Sequence, residues 1–194
     1  VGTPHRCLNG RTRASAECPG AYAEYTRIGA QETLRLPENA SFGEGALVEP
    51  LAVGLHAVRR ARLQLGDNLL IVGGGPVGLS VAMWCRFFGA RNIIVSDLIN
   101  SRAQGAGAFG ATAAIDASQE DVAERFVEIA GNAPTVVFDA VGVPGSMQTA
   151  IEYAPIDGRV VGVGLCMGPD RFKPAEAVIK EIDLSFCFVY EKRD

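Results

Sequence analysis

Several things are scarce in this chain, and each scarcity excludes something. Its 194 residues hold only five cysteines, at positions 7, 18, 85, 166 and 187, scattered and in no Cys-x-x-Cys pair. An odd number of dispersed thiols reads as a reducing compartment with mostly buried sulfurs, and Cys85 and Cys187 read as small apolar core residues. Basic residues never run beyond two in sequence and the net charge is −4. A general nucleic-acid surface is therefore not expected, and an anionic ligand would have to be held by local geometry rather than by an overall field. The chain opens on Val1, and no basic stretch followed by an apolar core comes after it. No secretory signal and a cytoplasmic location are expected, with the chain either processed or a fragment of something longer. The longest uncharged run, Asn68 to Cys85, is interrupted by Gly73, Gly74, Gly75 and Pro76. A membrane span needs about 20 apolar residues without such breakers, so none is expected.

What is present fits an ordinary globular protein: 48% apolar and 21% charged residues, over a length suited to one good-sized domain or one domain plus part of another. Residues 1–20 show no apolar period. Residues 21–28 alternate like a half-buried strand, and 32–47 read as a short strand, a proline turn and a helix start. Residues 46–63 carry helical apolar spacing, with Arg59, Arg60 and Arg62 near the end, where cations suit the helix dipole.

From residue 68 onward short apolar runs alternate with helical stretches. Strands are predicted at 68–72, 92–97, 112–116, 134–141, 158–165 and 183–190. The intervening helices include one from Pro76 closed by Gly89, a glycine-weakened one from Asn100, one over 119–131 ending at Gly131, one with Pro144 at its start, and one from Pro174. Apolar strands of this kind are buried on both faces. The predicted fold is thus α/β, a doubly wound parallel sheet of six strands.

Gly73, Gly75 and Gly78 spell G-x-G-x-x-G directly after the first of these strands and at the opening of a helix, and Asp97 ends the next strand. That context gives the motif its meaning. Gly73 allows a tight turn, Gly75 lets a diphosphate approach the backbone, and Gly78 lets helix and strand pack closely. Pro76 stands where its missing N–H costs least. The free amides of the first turn, with the helix dipole, favour a phosphate. Asp97 can accept hydrogen bonds from a ribose diol and would repel a 2′-phosphate, so NAD is expected over NADP.

The segment "LPENASFGEGALVEPLAVGLHAVRRARLQLGDNLLIVGGGPVGL", preceded by "GAYAEY" and followed in order by "SDLINSR", "FDAVG", "VVGVGL" and "KEIDLSF", resembles the zinc-dependent medium-chain dehydrogenases. The likeness is to the branch with sorbitol, threonine and butanediol dehydrogenases, over about residues 20–194. It implies a GroES-like catalytic β domain followed by a Rossmann domain. Residues 1–51 would be the last part of the first and 52–194 the NAD-binding unit, without the family's catalytic-zinc cysteine, its His-Glu pair or its four-cysteine lobe. A truncated or partial dehydrogenase is expected, with no catalytic residue of its own.

The resemblance also implies roles for single residues. Asp97 and Arg102 would hold the adenosine ribose, with Val77 beside the diphosphate. Val163, Gly164 and Leu165 would line the nicotinamide at the end of the fifth strand, and Cys187, Phe188 and Val189 on the sixth would meet its carboxamide. Glu49 would lie by the catalytic zinc of the full-length enzyme, although one carboxylate cannot make a zinc site. His56 reads as a packing histidine. The implied reaction is oxidation of a secondary alcohol or polyol, a small-molecule substrate, by a homo-oligomer. Two other readings stand beside it: a non-catalytic NAD(P)-binding module, and a zinc-independent quinone reductase-like protein.

Overall fold

The computed structural model describes residues 20–30, 33–191, 193 and 194. Six parallel strands form one sheet: β1 Asn68–Val72, β2 Asn92–Asp97, β3 Ala113–Asp116, β4 Val136–Asp139, β5 Arg159–Gly162 and β6 Asp183–Phe186. Their spatial order is β3-β2-β1-β4-β5-β6. The chain thus works outward from β1 to one edge, then returns to pair β4 against β1 and works outward to the other. Between β1 and β4 the direction of winding reverses, and in open sheets of this kind the ligand crevice lies beyond the carboxyl ends at that point.

The inner strands β1, β2, β4 and β5 bury both faces, which is why they read as apolar runs, whereas the edge strands β3 and β6 are only partly buried. Leu69 and Ile71 of β1 face one side with Ile93, Val95, Val136 and Phe138. Leu70 faces the other with Ile94, Ile115, Val137 and Val160. The first side is covered by helices α1 (Phe42–Ala61) and α2 (Pro76–Phe87). The second is covered by α4 (Val122–Ala130) and α5 (Ser146–Tyr153), with Ala177 of α6 (Pro174–Ile179) packed at its margin. Side chains such as Phe126, Phe138 and Ile94 are fully buried, and each such burial stabilises by about 1.5–3 kcal/mol.

Helix α1 begins at a capping box in which Ser41 and Glu44 serve each other's free amides. It is pinned to α2 where Gly54 meets Ser80: a Cβ on Gly54 would lie 1.9 Å from the Ser80 hydroxyl. Ser80 and Trp84 donate to the carbonyls of Pro50 and Leu51 at 2.7 Å each, and α1 runs through Pro50 and across position 51/52.

Several expectations need correction. Residues 21–28 form no strand and are exposed throughout, and residues 33–36 are equally irregular. A strand needs a partner for its ladder, and none pairs with this segment among the described residues. The stretch after Asn100 splits into α3 (Asn100–Gly105) and a 3-10 turn, Ala106–Phe109. Pro144 lies outside α5, whose N-cap is Gly145 in the left-handed region at φ 92°. The last strand stops at Phe186, so Cys187, Phe188 and Val189 follow it rather than belong to it. Cys187 is only partly buried, packed against the first core cluster. Cys7, Cys18 and His5 lie outside the described residues.

Candidate functional site

The turn after β1 is built almost entirely of backbone. Gly73 has φ 102°, and a Cβ there would meet Val141 at 2.9 Å. A Cβ on Gly78 would fall 1.9 Å from the Gly73 carbonyl, so only glycine lets the start of α2 close onto the strand. Gly75, the N-cap of α2, is different: a Cβ there would meet nothing within 4 Å. Its openness serves no packing need, and it leaves room for a ligand against the backbone. Pro76 occupies the first position of α2. The amides of Val77 and Gly78 follow in its first turn, where helix geometry supplies no intrahelical acceptor.

Asp97, at the carboxyl end of β2, faces this turn. One carboxylate oxygen accepts the Gly74 N–H at 2.8 Å and the other accepts the Ile99 N–H at 2.8 Å. A carboxylate has about four acceptor positions, so two remain for a further donor. The first bond fixes the acid against the glycine turn; the second makes it the turn residue that starts the next loop. Arg102 meets the same turn through its backbone. A Cβ on Gly74 would be 3.1 Å from the Arg102 carbonyl, while the Arg102 side chain is exposed.

Across the crevice, Val163, Gly164 and Leu165 follow directly on β5. Gly164 lies against the loop after β4: a Cβ on it would be 2.3 Å from the Gly142 amide. A Cβ on Gly142, which has φ 68°, would be 2.4 Å from the Gly164 carbonyl carbon. Two glycines thus allow two loops to cross in contact. Cys187, directly after β6, donates its N–H to the Gly162 carbonyl at 3.0 Å. Burial pushes its thiol up to about 11, with Arg60 and a backbone hydrogen bond opposing the rise, so it is protonated at neutral pH. Phe188 is exposed and Val189 takes φ 58°.

Asp139 and Gly142 were not singled out from the sequence. Asp139 ends β4 and is 2% exposed. Its signal is the one that found Asp97: an acid closing an apolar strand, here with a glycine three residues on.

Glu49 is exposed on α1, and its charge, after burial, helps raise the Tyr190 hydroxyl above the ordinary tyrosine range. His56 is buried, with Nδ1 2.8 Å from Asp194 and Nε2 without a hydrogen-bond partner. Among the described residues no three His, Cys, Asp or Glu side chains cluster as a metal site requires. These residues do not fit a zinc ion. Also among the described residues, no helix is long and apolar enough to cross a membrane.

Residues 76–194 match the family model described as zinc-binding dehydrogenase. The chain belongs to that family. It is 32% identical over 191 residues to a sorbitol dehydrogenase of Bombyx mori, covering 96% of this chain and 55% of the relative. Among solved structures it is similar to an alcohol dehydrogenase from E. coli CFT073, described as short chain and complexed with NADH. There the TM-score is 0.77 and the identity 26%, over 84% of this chain and 48% of the other. It is also similar to a protein of Sinorhizobium meliloti 1021, assigned as a zinc-binding dehydrogenase and bound to NADP. That likeness has a TM-score of 0.69 and 29% identity, over 75% and 44%. The chain spans about half the length of the curated relatives it matches. Solved structures similar to this chain carry NADH in one case and NADP in another. The choice between the two must therefore be argued from residues.

Proposed function

We propose that this chain is the cofactor-binding half of a zinc-type oxidoreductase that converts a secondary alcohol or polyol with NAD. The observation that carries the reading is the pairing of an open Gly75 with a carboxylate, Asp97, fixed against the same turn at 2.8 Å. The first-turn amides of α2 would hold the diphosphate, with Gly73, Gly75, Val77 and Gly78 as its cradle. The two free acceptor positions of Asp97 would receive the adenosine ribose diol, with Arg102 beside it. The second half of the dinucleotide would cross toward β4 and β5, to the segments 163–165 and 187–189. NAD, when bound, supplies the hydride acceptor.

The preference for NAD rests on charge. A 2′-phosphate near Asp97 would meet a like charge, worth about 1 kcal/mol at 4 Å in water and about 4 kcal/mol at a protein surface. Titration of Trp84 fluorescence is expected to give a dissociation constant for NADH at least about tenfold below that for NADPH. Asp97→Ser is expected to shrink that ratio toward one. Equal affinities in the parent protein would remove the argument from Asp97.

Zinc chemistry is expected to require residues beyond those described, since no described cluster can hold the ion. The protein of 194 residues is expected to bind NADH without oxidising alcohols. Zinc-dependent oxidation of sorbitol or butanediol by this chain alone would refute the division of labour. That same lack of a metal cluster among the described residues favours, as second reading, a nucleotide-binding module without a catalytic role.

A further inference from the structure

The adenosine side of the crevice is held by Asp97, and the opposite side has a buried acid of its own. Asp139 accepts the N–H groups of Val141 at 3.0 Å and Gly142 at 3.2 Å on one oxygen, and the Ser146 hydroxyl at 2.7 Å on the other. Ser146 Oγ also lies 2.8 Å from the Val143 carbonyl, and its single proton favours the charged acceptor. The Asp139 main-chain carbonyl accepts from Val163 at 2.9 Å and from Gly164 at 2.8 Å. One residue therefore fixes both loops that flank the far half of the crevice. The loop it holds reaches in two directions. Val141 packs toward Gly73 of the diphosphate turn, and Gly142 lies against Gly164 and Leu165.

A dinucleotide lying across the switch point, with its adenosine ribose at β2, must put its other nucleoside above β4 and β5. We infer that Asp139 is the positioning residue for the nicotinamide half: its carboxylate sets the loop 141–146 as the wall against which that nucleoside rests, without touching it. The inference rests on the cofactor reading above. A buried charge bonded to three donors cannot be lost without releasing amides that hold this shape, whereas Asp97, on the adenosine ribose side, is fixed by the Gly74 and Ile99 amides and shares no hydrogen bond with Asp139.

The test separates the two halves of the ligand by calorimetric titration with NADH and with AMP. Asp139→Ala is expected to weaken NADH by about tenfold or more, the loss of charge-assisted hydrogen bonds, while leaving AMP unchanged. Asp139→Asn keeps an acceptor for the two amides and is expected to restore most of the affinity. Ser146→Ala removes one contact and is expected to cost about twofold to threefold. A general structural role would weaken both ligands alike. Equal losses for NADH and AMP, or NADH affinity unchanged in Asp139→Ala, would overturn the inference alone. Should Asp139→Ala fail to fold, Asp139→Asn and Ser146→Ala decide it: a loss confined to NADH supports it, and no loss in either overturns it. A parent protein that binds neither ligand would overturn the cofactor reading, and this inference with it.

Discussion

The two ends of the sheet solve opposite problems. At the amino ends of β1, β2, β4 and β5, side chains satisfy one another. Asp67 accepts from Thr135 at 2.7 Å, from the Gln64 amide at 2.6 Å, and from the Arg159 guanidinium. Arg159 also donates to the carbonyls of Ala61 and Arg62 at the end of α1, and Asn92 donates to Asn68. At the carboxyl ends β1 runs into Gly73–Gly75 and the loops after β4 and β5 cross at Gly142 and Gly164, with main-chain amides held by two acids, Asp97 and Asp139. Polar side chains that complete one another leave nothing for a ligand, whereas a turn stripped of side chains leaves both space and donors. One end is therefore a structural clamp and the other a place for an anion.

The comparison is tested most severely at Asp67, which is 5% exposed. Asp67→Ala leaves Arg159 partly buried without its partner and orphans the Gln64 amide. Breaking such a pair costs about 3–5 kcal/mol, to be read as a lower urea midpoint. The folded fraction is expected to bind NADH as the parent does. A loss of cofactor affinity in folded Asp67→Ala would show that the two ends are not independent.

A pair of glycines sharpens the same contrast within the carboxyl end. In Gly78→Ala the new methyl would meet the Gly73 carbonyl, which is backbone and must shift. The expected cost is about 1–3 kcal/mol, with weakened NADH binding because the turn itself moves. In Gly75→Ala the methyl enters open space. Stability is expected to fall by no more than about 1 kcal/mol through a poorer N-cap. NADH affinity is nonetheless expected to drop at least about tenfold, because the methyl stands where a phosphate would approach. Undiminished binding in Gly75→Ala would mean that the space above it holds nothing.

The parallel core was legible in the sequence because it is local: five- and six-residue apolar runs such as 68–72 and 92–97 announce strands buried on both faces. The glycine turn was legible for the same reason, since strand, turn and helix are contiguous. What could not be read depends on which distant segments meet. Residues 21–28 alternate as a strand does, yet alternation cannot supply a neighbour. Asp139 and Gly142 acquire their meaning only when the β5 loop is laid beside them. The apolar pattern of 183–190 was read as one strand carrying Cys187, Phe188 and Val189, but the pairing with β5 ends at Gly162 and Phe186. Glu49 was named through family likeness, and no local pattern could show that the described residues bring it no companion ligands.

The smallest effect is expected at the start of α1. Glu44 accepts the Ser41 N–H and hydroxyl at 2.8 Å each, and these bonds, the backbone one foremost, hold its carboxyl below the ordinary glutamate range. A carboxylate whose folded pKa is lowered adds stability above its unfolded pKa, and that stability is lost as pH falls through the folded value. Glu44→Gln is therefore expected to be slightly less stable than the parent at neutral pH, with the gap closing as the solution is acidified past the carboxylate range. Ser41→Ala, which removes the cap itself, is expected to cost about 1 kcal/mol. Urea midpoints of parent and Glu44→Gln measured across that range decide it. A gap that persists in acid would assign the effect to side-chain shape rather than charge. A change in NADH affinity in either variant would mean that α1 communicates with the crevice, against the separation of clamp and site argued above.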